Sequence, residues 1–171
     1  NPGELVTYRP DTAHITRRYP ETYFATYREP DGDPTDAIWD ALVSAARPDV
    51  DAGRSVGIML SEGFDSRLIA GVYAHLGADL HTFTHATPGT AGTEIVRQVA
   101  DRLGSTHTFD HLETGFPSDL PDLRRQLALA DNLHVPFWAP GAHHFRTTGV
   151  DVTTTGYALD TTLGAHALTT S

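Results

Sequence analysis

The sequence predicts an α/β fold: a three-layer, mostly parallel twisted sheet with helices on both faces. Two observations carry the prediction. From residue 55 onward, short runs rich in β-branched and aromatic residues alternate with longer runs whose apolar residues recur at helical spacing. Gly77 and Gly104 follow two of the helical runs, at the place where a helix C-terminus favours glycine. With 171 residues, 39% of them hydrophobic, the chain is long enough to bury one real core, so one principal domain is expected.

In chain order, GELVTY (3–8) and HITRRY (14–19) alternate as strands do, but prolines at 2, 10, 20, 30 and 34 cut the region into short pieces. It reads as a short hairpin followed by a linker. DAIWDALVSAAR (36–47) places Ile38, Trp39, Leu42, Val43 and Ala46 on one helical face, with Asp33 or Thr35 as N-cap and Pro48 as its end. Strand SVGIML (55–60) then leads to helix DSRLIAGVYAHLG (65–77), and strand LHTFTH (80–85) leads through a Pro-Gly loop to helix TEIVRQVADRLG (93–104). Strand HTFDH (107–111) leads to helix SDLPDLRRQLALADN (118–132), and a loop region, HVPFWAPGAHHFRTTG (134–149), reaches a last strand, VDVTTTG (150–156).

Composition excludes several classes of function. There is no cysteine, hence no disulfide, thiolate catalysis or cysteine-bound zinc, which suits a cytoplasmic location. The formal net charge of −10 argues against nucleic acid as a partner, while leaving room for a local anion site built of backbone N–H groups. No stretch approaches the roughly eighteen apolar residues of a membrane span, and no apolar signal core begins the chain, so no membrane partner is expected. All twelve basic residues are arginine, so no lysine is at hand as an electrostatic clamp. Asn1 at one end and HALTTS at the other both look cut, and the chain is expected to be a fragment of a longer one.

Ligands of an open parallel sheet bind beyond the carboxyl ends of the strands, and the loop SEGFDS (61–66) occupies such a place. A small hydroxyl residue, a glycine and a helix start present N–H groups that hold phosphate oxygens. Asp65 beside them suits Mg²⁺ bound to the same phosphates. A plainer reading stands beside this one: Ser61 or Asp65 caps the helix, and Gly63 is an ordinary turn glycine. The loop is neither a Walker sequence, which needs GKS or GKT, nor GxGxxG.

LSEGFDSRLIAG (60–71) resembles the SGGxDS pyrophosphate loop of the ATP-pyrophosphatase superfamily, in its asparagine-synthetase-like branch. TTGYALDTTLGAH (154–166) resembles that branch's TGxGxDxxxGG segment, with Gly156 and Gly164 on two of its glycines and Asp160 on its aspartate. TFTHATPGTAGTEIVRQVADRLGSTHTFDH (82–111) is similar to the region between them, and NPGELVTYRPDTAHITRRY looks like the stretch leaving the family's N-terminal glutamine-amidotransferase-like domain. The resemblance implies an adenine nucleotide alpha-hydrolase-like fold. It also implies a division into residues 1–34, the end of the amidotransferase-like domain and a linker, and 35–171, a synthetase domain truncated at its C-terminus.

It further implies an ATP-dependent, AMP-forming ligase that adenylates a carboxylate, releases pyrophosphate and lets an amine displace AMP, with ATP and Mg²⁺ as cofactors. By position, Ser61, Gly63, Asp65 and Ser66 form the pyrophosphate loop, Asp65 and Asp160 hold the metal, and backbone near Leu60, His85 and Gly156 edges the adenosine. The partners implied are a small carboxylate and amine substrate, a glutaminase-like domain in cis, and a second copy in a homo-oligomer.

Tyr157 stands where asparagine synthetases carry a glutamate and β-lactam-synthetase-like members a tyrosine, which the resemblance makes a catalytic proton acceptor; otherwise it is a buried aromatic with its hydroxyl tied up. Thr161 replaces a second acid, and Ala158 and Ala165 replace glycines. Glu62 replaces a glycine beside a site meant for a polyanion; it faces solvent, shares the metal or weakens nucleotide binding. The ten histidines lack HExxH or HxH spacing, which leaves zinc unsupported. Phe137, Trp138 and Phe145 form either an apolar wall for the carboxylate substrate or part of the core. Two further functions stay open: a catalytically silent nucleotide-binding domain, for Glu62, Thr161 and the missing lysine, and a glutamine-dependent asparagine synthetase.

Overall fold

The computed structural model describes residues 5–18, 32–111, 138–157 and 159. The chain divides between Ala37 and Ile38 into two units. In the first, β1 (Leu5–Arg9) and β2 (His14–Arg18) make the antiparallel hairpin that their alternation predicts, with Leu5 opposite Arg18 and Arg9 opposite His14. Asp33 accepts from the N–H and the hydroxyl of Thr35, at 2.9 and 2.6 Å, where α1 (Thr35–Asp51) begins.

Pro48 does not end this helix, as the sequence suggests; it lies inside it. A proline removes one helical hydrogen bond and crowds the preceding turn, but here the turn beyond it is anchored from outside. The Asp49 carboxylate takes Arg54 Nη1 at 2.9 Å and the Tyr73 hydroxyl at 3.1 Å, and Val50 packs on the core. Tertiary contact outweighs the local preference.

The second unit holds a four-stranded sheet in the order β5-β4-β3-β6, every pair parallel. The strands are β3 (Ser55–Met59), β4 (Asp79–Ala86), β5 (Thr106–His111) and β6 (Val152–Thr154), with α2 (Phe64–His75) and α3 (Ala91–Leu103) as crossovers. Alternation along β3 sorts the two faces. Val56, Ile58 and Leu60 join Leu80 against Ala46 of α1, Ala70, Val72 and Tyr73 of α2, and Val96 and Ala100 of α3. Gly57, Met59 and Phe83 face the other way, toward α4 (Ala139–Thr148). Helices therefore cover both faces, as predicted. No helix among the described residues is long and apolar enough to cross a membrane.

Helix α4 is the larger correction, because its residues read as loop. Pro140 and Gly141 look like a turn, yet a proline in the first helical turn sacrifices no hydrogen bond. Gly141 is small because the helix lies directly on β3: a Cβ there would come 2.6 Å from the Met59 sulfur, and one at Gly57 would come 2.8 Å from the Phe145 ring. β6 is shorter than the predicted 150–156. Asp151, just before it, instead takes the Ser55 N–H and hydroxyl at 2.9 Å each, fastening β6 beside β3 and holding its own carboxyl below the usual range. The predicted helix 118–132 lies outside the described residues.

His107 of β5 shares a hydrogen bond of 2.9 Å between Nδ1 and Thr82 Oγ1, and its Nε2 is buried with no partner among the described residues. Burial pushes its pKa down, while Asp101 pulls it up and Arg97 adds to the lowering. A histidine whose folded pKa is depressed contributes stability that is complete above its unfolded pKa of about 6.5 and is lost as pH falls through the folded value. Urea unfolding between pH 7 and pH 5 is expected to show falling stability, with a shallower fall in His107→Gln. Equal slopes would remove His107 as the cause.

Candidate functional site

The chain runs from β3 through β4 to β5 in one direction across the sheet, and β6 lies on the other side of β3. The strand order thus reverses between β3 and β6, and the carboxyl ends of these two strands open the crevice in which such sheets hold ligands. The sequence places SEGFDS at the end of β3 and the Gly156-Tyr157 segment just after β6.

Folding brings these two segments into contact. A Cβ at Gly156 would come 2.6 Å from the Asp65 carbonyl carbon and 2.7 Å from its oxygen, so the two backbones touch where a side chain would stand. Gly156 is buried and Asp65 half-buried. Asp160, the other predicted metal ligand, lies outside the described residues.

Ser61 and Asp65 do not stand at the N-cap of α2: that residue is Gly63, which makes no side-chain cap hydrogen bond. In α3, by contrast, Thr90 Oγ1 accepts from the Thr93 N–H at 3.4 Å. The two serines shape the loop instead. Ser66 Oγ accepts from the Ser61 N–H at 3.0 Å and lies 2.9 Å from Ser61 Oγ, which accepts from the Gly63 N–H at 3.2 Å. Ser66 is buried by this arrangement, and Ser61 keeps an exposed face. Arg67 Nε donates to the Gly63 carbonyl at 3.2 Å while its guanidinium lies 4.6 Å over the Phe64 ring, itself 83% exposed. The first turn of α2 therefore offers N–H groups to an anion, and Arg67 adds a cation one residue beyond the loop.

Beside this loop, between the ends of β3 and β4 and the start of α3, lies a cleft of about 320 Å³. Leu60 and His85, both predicted to edge a ligand, line it. The Leu60 N–H is bound to the Phe83 carbonyl at 2.8 Å, and its own carbonyl accepts the Thr84 hydroxyl at 2.7 Å. His85 Nδ1 is 2.9 Å from Asp110 Oδ2, a partnership across β4 and β5 that fixes the ring. Thr90, Gly92, Thr93 and Val96 form the far wall. Sequence reading missed that wall, although the small-residue run TPGTAGT before the helix is the kind of segment that lets a ligand approach backbone.

Glu62 also lines the cleft. Its carboxylate lies against the backbone of Gly92, where a Cβ would overlap Oε2 and come 2.8 Å from Cδ. Glu62 is thus directed across the cleft toward α3.

Tyr157 is 67% exposed, and its ring meets Trp138 edge-on with centroids 5.5 Å apart. The alternative of a buried aromatic is therefore wrong. Phe145 is buried against β3, as a core residue, but with Met59, Trp138, Ala142 and Thr153 to Thr155 it also lines a second cavity of about 100 Å³. Phe137 lies outside the described residues. His144 stacks on Phe83 with centroids 4.9 Å apart; burial pushes its pKa down, and the nearby His81 acts in the same direction. Among the described residues no three histidine, aspartate or glutamate side chains gather as a metal-binding group.

The sequence model of a family described as asparagine synthase matches residues 37–164, a span that includes both contacting segments and the cleft between β4 and α3. No curated protein matches the chain.

Proposed function

The chain belongs to the asparagine synthase family, whose members are ATP-dependent ligases, and on that premise we propose that its second unit activates a carboxylate as an acyl-adenylate. The observation that carries the proposal is the contact between Gly156 and the Asp65 backbone at the β3/β6 switch point. It brings the segment proposed for phosphate beside the segment that carries Tyr157.

ATP lies with its adenosine in the cleft edged by Leu60 and His85 and its β,γ-phosphates on the N–H groups opening α2. A carboxylate oxygen attacks the α-phosphorus, the bond to the bridging oxygen of the β-phosphate breaks, and pyrophosphate leaves. An amine then adds to the acyl carbon and loses a proton, and AMP departs with the electron pair of the C–O bond. Asp65 is a hard oxygen donor beside the phosphate-facing helix start, which fits Mg²⁺; with Asp160 it would hold the cation. The cation supplies positive charge against the phosphates when bound.

Tyr157, next to the contact and exposed, would take the proton of the amine, the role a tyrosine has in the β-lactam-synthetase-like members this position resembles. An intramolecular amine is the finer version of the proposal. Residues 1–34 then close an amidotransferase-like domain, and 35–171 belong to the synthetase domain.

The test is release of pyrophosphate and AMP from Mg-ATP by the intact protein, with a panel of amino-dicarboxylates. Pyrophosphate appearing only with a carboxylate is expected. ATP binding without release under every carboxylate would instead select the catalytically silent domain, and conversion of aspartate with glutamine or ammonia would select an asparagine synthetase.

A further inference from the structure

We infer that Glu62 reads the ribose of the bound nucleotide, its carboxylate accepting the sugar hydroxyls. The inference rests on the proposed ATP site. Between Ser61 and Gly63, the family's loop pattern has no acid, and a carboxylate facing the phosphates there would repel them. The structure turns it elsewhere. The side chain crosses the cleft to lie against Gly92, on the side of β4 and α3, whereas Asp65 touches Gly156 on the side of β6.

Among the described residues no hydrogen bond or ion pair engages the Glu62 carboxylate; no arginine lines the cleft, and its histidine, His85, is held by Asp110. A carboxylate in this place is acceptor-only, with two oxygens. The complementary ligand group is a pair of adjacent donors close to, but outside, the phosphates. A nucleotide has such a pair in its 2′- and 3′-hydroxyls, between the base and the triphosphate. The remainder of the cleft suits the base: Met59, Leu60, Phe83 and Val96 are apolar, and Thr84 and His85 are polar at the strand ends. Gly92 keeps the far wall free of a side chain, so the carboxylate fits without displacing α3. The glutamate is thus a specificity element that discriminates ribonucleotides from deoxyribonucleotides.

The experiment is calorimetric titration of the intact protein with ATP, 2′-deoxy-ATP and 3′-deoxy-ATP, for the wild type, Glu62→Gln and Glu62→Gly. A hydrogen bond to a charged acceptor predicts that the wild type prefers ATP over either deoxy analogue by about tenfold or more. In Glu62→Gly the preference falls to about one, through loss of ATP affinity, and Glu62→Gln lies between. Equal wild-type affinity for all three nucleotides overturns the ribose assignment while leaving the ligase reading intact. Tighter ATP binding by Glu62→Gly also overturns it, since the carboxylate then repels the nucleotide. No binding of any of the three overturns both the inference and the reading beneath it.

Discussion

Asp65→Asn is expected to lower Mg²⁺-dependent pyrophosphate release by at least about a hundredfold while leaving the fold in place. The size of the effect separates two roles for this aspartate. As an acid in the first turn of α2 it interacts with the positive end of the helix, a contribution of about 0.3–1 kcal/mol at an exposed site. A hundredfold rate loss corresponds to about 2.7 kcal/mol at the transition state, beyond what the helix interaction supplies. Asparagine keeps the shape and one carbonyl oxygen but removes the charge that a hard divalent cation selects. The paired measurements are initial rates across a magnesium titration and urea unfolding of the same variant. A rate unchanged within a factor of two sinks the metal assignment; a rate lost together with several kcal/mol of stability shows a structural role instead.

Much of the architecture is legible in the sequence because the physical signals are local. Alternation marks β3, with Val56 and Ile58 buried on one face, and the apolar stripe of α3 buries Val96 and Ala100. Gly104 takes φ 64 at the end of α3, where only a residue without Cβ sits easily. The errors fall where a distant contact overrides such signals. Pro48 remains helical because Asp49 is held by Arg54 and Tyr73, and α4 is a helix because Gly141 and Phe145 seat it on Met59 and Gly57. Neither partnership can be seen in a short window of sequence.

The site divides in the same manner. Its loop stands out because small residues and an acid at the end of a strand resemble a pyrophosphate loop. The wall formed by Thr90, Gly92 and Thr93 is set by the crossover of α3, whose position relative to β3 depends on sheet order. Glu62 shows what the fold adds. In sequence it is a charge misplaced in a loop that resembles a phosphate site; in space it lines the cleft and lies against Gly92. The same residue therefore carries opposite electrostatic meanings at the two levels.

Gly156→Ala is the smallest change expected to disable the site. The added Cβ would meet the Asp65 carbonyl carbon at 2.6 Å and oxygen at 2.7 Å, and both belong to backbone, which cannot rotate aside as a side chain would. One segment has to move, and a misplacement of about 1 Å at a reacting centre costs on the order of a hundredfold in rate. Overpacking of this kind also costs about 1–3 kcal/mol of stability. The control is Gly71→Ala in α2, where an added Cβ meets nothing within 4 Å. There the loss of backbone freedom in the unfolded chain favours alanine, and a gain of up to about 1 kcal/mol is expected with pyrophosphate release unchanged. A Gly156→Ala protein that releases pyrophosphate at the wild-type rate would show that the β3 and β6 segments need not touch for the chemistry. The switch-point contact would then be a packing feature, and the functional proposal would lose the observation on which it stands.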